Sequence, residues 1–411
     1  MPATPLKPPV TLMDTTLRDG EQTPDVAFSA DEKLDIARLL LCDVGVDRVE
    51  VCSARVSAGE QRAAQRIAEF ARGAGLSARV EALGFCDGGR SAEWLSDAGI
   101  EHMNLLVKGS ERHCRVQLGR DLAAHVRGIE QSLAASVARG VLVRGVYLED
   151  WSRGVAESPA YVEALMRSLV ALGVRRVYLA DTLGVLEPND VTRHVRWMCR
   201  RFPGVCFEFH GHDDYGLATA NALAAVRAGA SGVHVTVNGL GERAGNASLS
   251  EVVAALHDHA RRRTAVDETR LPMLAERVAR ASGCLVAHNA PVVGRDVFTQ
   301  TAGVHADGDA KGGLYASRLA PERFGRRRAY ALGKLSGRAS LAHHLRELGL
   351  SLGAAELDLL LGTIVAWGDD KRLVRSEDVL RLAGGARALG AMGPGSEVVV
   401  ADGAPGGGVS G

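Results

Sequence analysis

The chain has 411 residues, enough for one large domain or two, and its 49 basic residues are balanced by 49 acidic ones. A net charge of zero and an aromatic content of 4% give no indication of a nucleic-acid partner or of a charged membrane surface. The seven cysteines are scattered without a CxxC pair, and no apolar run reaches the roughly 18 residues of a membrane span, so we expect reduced thiols in a cytoplasmic protein.

Short runs rich in β-branched residues alternate with longer stretches of helical periodicity between residues 10 and 262. Eight such units favour an α/β fold, a closed (β/α)8 TIM barrel, over an open doubly wound sheet, since no Gly-x-Gly-x-x-Gly opens the first helix. The predicted strands are residues 10–14, 46–52, 78–85, 102–108, 145–150, 176–181, 205–212 and 232–238.

Composition divides the chain into four predicted segments. Residues 1–9 form an N-terminal tail and residues 10–262 a catalytic barrel. Residues 263–383 form a small, mostly helical accessory region, and residues 384–411 form a tail rich in Gly and Ala.

A His-x-His pair closes the seventh predicted strand. Side chains two residues apart on a strand share a face, so His210 and His212 can bind one metal ion. Asp19 follows strand one, which only strand eight separates from strand seven in a closed barrel, so its carboxylate can converge on the imidazoles. Three ligands of mixed N and O type leave positions open for a substrate, and Arg18 adds a positive charge for an oxyanion. Taken singly, each segment also fits an ordinary strand end or capped turn.

Two further segments carry candidate residues. The Gly-rich loop 238–246 is neither a P-loop nor a dinucleotide-binding fingerprint, but it places Asn246 near the histidine pair as a candidate fourth ligand. His305 lies in a Gly-flanked loop, and Tyr315 follows it. From the residues alone, these two side chains fit packing as well as chemistry.

Four motifs in this order resemble the condensing enzymes of the DRE-TIM metallolyase superfamily. The resemblance covers roughly residues 10–382 and is closest to 2-isopropylmalate synthase, beside homocitrate, citramalate and Re-type citrate synthases. The motifs are Asp-Thr-Thr-Leu-Arg-Asp-Gly-Glu-Gln at 14–22, His-Gly-His-Asp-Asp-Tyr-Gly at 210–216, Asn-Gly-Leu-Gly-Glu-Arg-Ala-Gly-Asn at 238–246, and Ala-Gly-Val-His-Ala-Asp-Gly at 302–308 with Leu-Gly-Lys-Leu-Ser-Gly at 332–337.

The resemblance implies a barrel of the pyruvate carboxyltransferase type. Its implied activity is a Claisen-type condensation of acetyl-CoA with an α-keto acid, followed by thioester hydrolysis, and the first choice of acceptor is 2-oxoisovalerate, in leucine biosynthesis.

The implied ligands of a divalent ion (Mg²⁺, Mn²⁺ or Zn²⁺) are Asp19, His210, His212 and Asn246. The implied catalytic residues are Arg18, Glu149, His305 and Tyr315. The implied substrate contacts are Gln22, Thr182, His234 and Thr236. In the family the His305 region reaches into the barrel of a second subunit, which implies a homodimer.

Two features depart from 2-isopropylmalate synthase. Full-length members carry a leucine-binding regulatory domain, whereas only about 25 residues follow the last predicted helix here, so we expect no feedback inhibition by leucine. Residues 108–114 and 147–151 differ from the pocket sequences of the leucine-pathway enzyme, which leaves the other three condensing activities open.

Three more distant alternatives are disfavoured. An acyl-CoA lyase of the superfamily would need a Gly-Cys-Pro loop after strand eight, and a biotin carboxyltransferase a lysine inside the barrel, yet no lysine ends a strand of the second half. An inactive barrel that only binds ligands is disfavoured because every proposed ligand type is retained.

Overall fold

The computed structural model describes residues 9–391, with side chains up to Gly385. Residues 1–8 of the predicted N-terminal tail and 392–411 of the predicted C-terminal tail lie outside the described residues. Two compact units divide the chain, residues 9–297 with 322–326 and residues 298–321 with 327–391. The division by compactness falls near residue 297. The domain limits predicted from the sequence, 10–262 and 263–383, stay a prediction.

The first unit is a closed barrel of eight parallel strands in sequential order, as the sequence predicted. It closes through β1 and β8, with Asp14 opposite Val235. Most strands are buried along nearly their whole length, because parallel barrel strands are covered on both faces. The strands are β1 (Thr11–Asp14), β2 (Arg48–Ser53), β3 (Val80–Phe85), β4 (His102–Lys108), β5 (Leu142–Glu149), β6 (Arg176–Asp181), β7 (Cys206–Gly211) and β8 (Gly232–Val235).

Helices follow the strands, and several begin at side chains that cap them. Ser29 forms a capping box with Glu32 at the first helix, and Ser57 and Asp121 accept backbone N–H groups at the starts of the second and fourth. The helices of this unit are α1 (Ala30–Arg38), α2 (Ala58–Gly73), α3 (Arg90–Asp97), α4 (Leu122–Ala138), α5 (Trp151–Glu157), α6 (Pro159–Ala171), α7 (Pro188–Arg201), α8 (Ala218–Ala228), α9 (Leu249–Ala255) and α10 (Leu271–Ser282).

The inside of the barrel is polar. Arg48 and Glu50 of β2 are both buried, and each has partners on other strands. Arg48 Nη1 lies 3.0 Å from Glu81 Oε2, and Asn104 Nδ2 donates to Glu50 Oε1 at 2.7 Å. Buried charges need such partners, so these contacts set how the strands are aligned around the interior.

The second unit is mostly helical, as predicted for the C-terminal region. Two short parallel strands, β9 (Thr299–Gln300) and β10 (Ala329–Tyr330), accompany four helices. Leu341, Leu345 and Leu360 belong to its apolar core. The helices are α11 (Gly303–Ala310), α12 (Arg338–Glu347), α13 (Ala354–Asp369) and α14 (Ser376–Ala391), so that the last helix extends into the predicted tail. Within residues 9–391, no helix has both the length and the apolar character needed to cross a membrane.

Candidate metal centre

Three predicted metal ligands converge at the C-terminal end of the barrel. Asp19, His210 and His212 each offer one donor atom, and these atoms lie within 4.8 Å of one another. Asp19 is held by the turn that follows β1, where its N–H donates to Thr15 O at 2.8 Å. His210 is part of β7, and its Nε2 lies 3.2 Å from Asp19 Oδ2.

Backbone hydrogen bonds hold Asn246 beside this group. It forms an isolated antiparallel bridge with His212, and its N–H donates to Gly239 O at 3.0 Å. The loop can close this tightly because residue 245 is a glycine with a positive φ of 90°. A Cβ atom at this position would lie 1.9 Å from Gly239 O. Asn246 Nδ2 donates to Leu240 O at 3.0 Å, which leaves the amide oxygen for another partner.

Asp19, His212 and Asn246 each have a buried polar atom that could bind a metal ion. Asp19 Oδ1, His212 Nδ1 and Asn246 Oδ1 are all buried, and each lacks a hydrogen-bond partner in the part of the chain that the structure describes. Buried polar atoms without partners are rare and mark places where an ion or water binds. Oxygen and imidazole nitrogen donors together suit a divalent ion, so these residues fit the predicted metal.

Electrostatics favour the protonation states that metal binding needs. Burial would raise the pKa of Asp19, but Arg18, His210 and His212 together lower it well below its usual range. Burial, followed by the charge of His210, lowers the pKa of His212 to about 4. A carboxylate and a neutral imidazole are the forms that bind a metal ion.

Arg18 is fixed beside the candidate ligands by Asp19 and by residues of two strands, Glu50 on β2 and Tyr147 on β5. Its Nη1 lies 3.0 Å from Asp19 Oδ2, its Nε donates to Glu50 Oε2 at 2.6 Å, and its Nη2 donates to Tyr147 OH at 3.2 Å. Glu50 was not singled out by the sequence analysis, and Tyr147 was included only as part of the segment 147–151, without a role. A signal existed for Tyr147, since it lies two residues before Glu149 and therefore on the same strand face.

Four residues from the segments 108–114 and 147–151 lie together at the mouth of the barrel. Lys108 at the end of β4 pairs with Glu149 at the end of β5. His113 Nδ1 lies 3.8 Å from Glu149 Oε1, and His113 Nε2 lies 3.4 Å from Asp150 Oδ2. Thr182 joins this cluster, because its Oγ1 accepts the N–H of Asp150 at 2.8 Å.

The other predicted substrate contacts have varied surroundings. Gln22 is exposed and lines a cavity with Arg18. His234 is buried between Tyr147 OH, 3.1 Å from its Nδ1, and Glu208 Oε2, 3.2 Å from its Nε2. Thr236 is buried, and its hydroxyl donates to Leu240 O at 2.7 Å. Their roles stay predictions.

His305 and Tyr315 belong to the second unit. Their ring centroids are 4.3 Å apart, and His305 lies on α11 rather than in a loop. Their predicted catalytic roles stay predictions.

Comparisons with known proteins identify the family of the chain. Residues 9–278 match the family described as HMGL-like, and residues 292–372 match a homocitrate synthase post-HMGL domain-like family. A protein of Methanopyrus kandleri described as an (R)-citramalate synthase is 36% identical over 91% of this chain and 72% of its own length. A 2-isopropylmalate synthase of Ignicoccus hospitalis is 35% identical over 83% of each chain, and a homocitrate synthase of Frankia alni is 37% identical over 82% of this chain and 93% of its own.

Solved structures confirm the barrel. An HMG-CoA lyase from Brucella melitensis superposes with a TM-score of 0.58 at 21% identity, covering 67% of this chain and all of the lyase. At that identity the match shows the fold alone. The sequence matches span both units, and they include synthases of three kinds. The chain therefore belongs to the HMGL-like family and, within it, to the DRE-TIM condensing enzymes.

Proposed function

We propose that the protein catalyses the metal-dependent condensation of acetyl-CoA with an α-keto acid, followed by hydrolysis of the thioester, as a 2-isopropylmalate synthase acting on 2-oxoisovalerate. The observation that carries this proposal is the group of buried donor atoms without partners on Asp19, His212 and Asn246, with Arg18 fixed beside them. A divalent ion bound there would act as a Lewis acid on the ketone.

Arg18 has the main role among the chain's own residues. Its guanidinium is held by Glu50, Tyr147 and Asp19, so it can face a developing alkoxide without reorganising. We assign Thr182 to the carboxylate of the keto acid and Gln22 to the same substrate pocket.

Removal of a proton from the acetyl methyl group needs a base, and we assign it to His305 helped by Glu149. We propose a homodimer in which His305 and Tyr315 of one subunit complete the barrel site of the other. The protein then acts in the cytoplasm, and the seven free cysteines support a reducing compartment.

Polar side chains at the mouth of the barrel favour a second class of α-keto acid acceptor. Lys108, a nearly buried cation that pairs with Glu149, lies there, and His113 Nδ1 is buried with no hydrogen-bond partner among the described residues. Such groups suit an acceptor with a second carboxylate, such as 2-oxoglutarate or oxaloacetate, better than the isopropyl group of 2-oxoisovalerate. The relative described as a homocitrate synthase supports 2-oxoglutarate, and the relatives described as citramalate synthases support pyruvate.

Release of CoA thiol from acetyl-CoA tests the proposal. The protein is assayed with Mg²⁺ or Mn²⁺ against 2-oxoisovalerate, pyruvate, oxaloacetate and 2-oxoglutarate, with an EDTA control. Activity with 2-oxoisovalerate alone supports the first choice, and activity with another acceptor alone replaces it. Release that EDTA does not abolish, or no release with any acceptor while metal is bound, would refute the proposed reaction.

Variants make the assay specific to the metal centre. Asp19→Asn should abolish turnover, because it removes the anionic ligand while it keeps the size of the side chain. Asp25→Asn is the matched control, since Asp25 is exposed and its positive φ of 64° is one that Asn tolerates.

A further inference from the structure

We propose a second binding site at the N-terminal end of the barrel, for a small organic anion that joins a carboxylate or sulfonate to an apolar body. A cavity of about 450 Å³ lies there, between α4, the first half of β5 and the turn that leads into β6. The metal centre lies at the opposite, C-terminal ends of the strands, so this cavity is separate from it. Its volume is within the usual range for small-molecule sites.

The charges that line the cavity are all positive. Arg144, Arg175 and Arg176 contribute to its wall, and the wall contains no carboxylate. The charge of Arg176 is balanced by Glu208 inside the barrel, since Arg176 Nε lies 3.1 Å from Glu208 Oε1. Arg175 has no carboxylate partner within the described residues, and its Nη1 donates to two backbone carbonyls at 3.0 Å. The cavity therefore attracts an anion.

Arg144 offers a donor that has no acceptor. Its Nε is buried without a hydrogen-bond partner among residues 9–391, and the nearest carboxylate oxygen, Glu81 Oε1, lies 3.9 Å away. The outer end of the guanidinium is open to the cavity: its Nη2 makes one long hydrogen bond, to Ala78 O at 3.5 Å, and the side chain is 31% exposed. A carboxylate is the acceptor that a guanidinium binds most strongly, so this outer end can bind an anion in the cavity.

Apolar side chains border the arginines and explain why the ligand needs an apolar body. Val137 on α4 is 74% exposed and Leu142 at the start of β5 is 50% exposed, although both are aliphatic and both line the cavity. Leu133 and Leu172 complete this apolar side. An inorganic anion would leave these side chains in water, whereas an aryl or alkyl carboxylate would cover them.

Calorimetric titration of the metal-loaded, full-length protein with 2-naphthoate tests the proposal. The neutral isostere 2-naphthamide serves as the ligand control. We expect 2-naphthoate to bind at least about ten-fold more tightly than the amide, because only the acid can pair with the guanidinium groups. Failure of 2-naphthoate to bind, or equal binding of the amide, would overturn the proposal.

Four variants locate the binding. Arg144→Gln and Arg175→Gln should each weaken 2-naphthoate binding by about ten-fold or more, while Arg280→Gln, on the exposed face of α10, should not. Two substitutions at the site are needed because Arg175 also supports its own turn, and the urea midpoint of each variant shows whether it is folded. Asp19→Asn should bind 2-naphthoate as the wild type does. Loss in that variant, or retention in both site variants, would place the anion elsewhere and overturn the proposal.

Discussion

Replacing Arg48 with Met should strongly destabilise the barrel, because it leaves two carboxylates buried without their shared cation. Arg48 is 5% exposed, and Glu81 and Glu208 are 0% and 1% exposed. Arg48 Nη1 lies 3.0 Å from Glu81 Oε2, and its Nη2 pairs with Glu208. Arg144 and Arg176 at the rim remain near these carboxylates, but the first lies 3.9 Å from Glu81.

The size of the loss follows from two independent arguments. At an effective dielectric constant of about 20, charges at the 3.0 Å separation of Arg48 and Glu81 attract by about 5 kcal/mol, and breaking a buried pair typically costs about 3–5 kcal/mol. Burial raises the pKa of Glu208, but Arg48 and then His234 lower it to about 2 from the usual 4.5. That difference corresponds to about 3 kcal/mol of stability at neutral pH, which Arg48 shares with His234 and Arg176. We therefore expect a loss of about 3–5 kcal/mol.

The pH dependence gives the sharper test. Because the folded pKa of Glu208 is below its unfolded value, the wild-type contribution is fully present above pH 4.5 and is lost as the pH falls towards 2. In the Met variant Glu208 loses this cation and its pKa rises, so the folded protein takes up a proton. The loss should therefore be largest at neutral pH and shrink as the pH is lowered, by up to about 1.4 kcal/mol per unit and per proton.

Urea unfolding followed by tryptophan fluorescence, at about pH 7.5 and about pH 5.5, measures both quantities. Arg66→Met is the matched control, since Arg66 pairs with Asp31 at the surface and its removal should cost less than about 1 kcal/mol. A loss for Arg48→Met below about 1 kcal/mol, or the same loss at both pH values, would refute the reasoning.

Three further predictions concern single residues. Asp19→Asn should weaken Mn²⁺ binding by more than the roughly 100-fold seen for outer-shell residues, as measured by calorimetry; unchanged affinity would remove Asp19 from the metal centre. Arg18→Lys keeps the charge but cannot reproduce the three contacts of the guanidinium, so kcat should fall at least about ten-fold while Mn²⁺ affinity changes little; an unaltered kcat would refute the role of its orientation. Lys33→Met should lower the urea-derived stability by about 1–3 kcal/mol, less than Arg48→Met, because its partners Glu21 and Glu60 are 21% and 12% exposed; a larger loss than for Arg48 would contradict the ranking.

The barrel and the convergence of the candidate metal ligands could be predicted because both follow from local patterns. Strands that are covered on both faces have runs of apolar residues in the sequence. His210 and His212 share a face because side chains two residues apart on a strand point the same way. The meeting of Asp19 with these histidines required only the order of strands around a closed barrel. The shortened end of the eighth strand could not be foreseen in this way, because Asn238 takes up a positive φ of 58° within a tight turn.

The polar interior was harder to predict because its contacts join distant parts of the chain. Arg48 and Glu208 are 160 residues apart, and Glu50 and Tyr147 are 97 residues apart. A signal was nevertheless present in β2, where Arg48 and Glu50 alternate with valines. In an antiparallel sheet the charged set could face solvent, but helices cover the outer face of this parallel barrel, so a buried strand with alternating charges must direct them inward.

Asn104 connects the two levels of this interior. Its Nδ2 donates to Glu50 Oε1 at 2.7 Å and to Glu81 Oε2 at 3.0 Å, and its Oδ1 accepts from Tyr178 OH at 3.0 Å, which fixes the orientation of the amide. Glu50 belongs to the upper level, where it holds Arg18 beside the metal ligands, and Glu81 belongs to the lower level, where it pairs with Arg48. The orientation of Arg18 is therefore set by groups deeper in the barrel as well as by its neighbours at the mouth. This arrangement gives the charged interior of this barrel a structural role, since it orients Arg18, the arginine to which we assign the developing alkoxide.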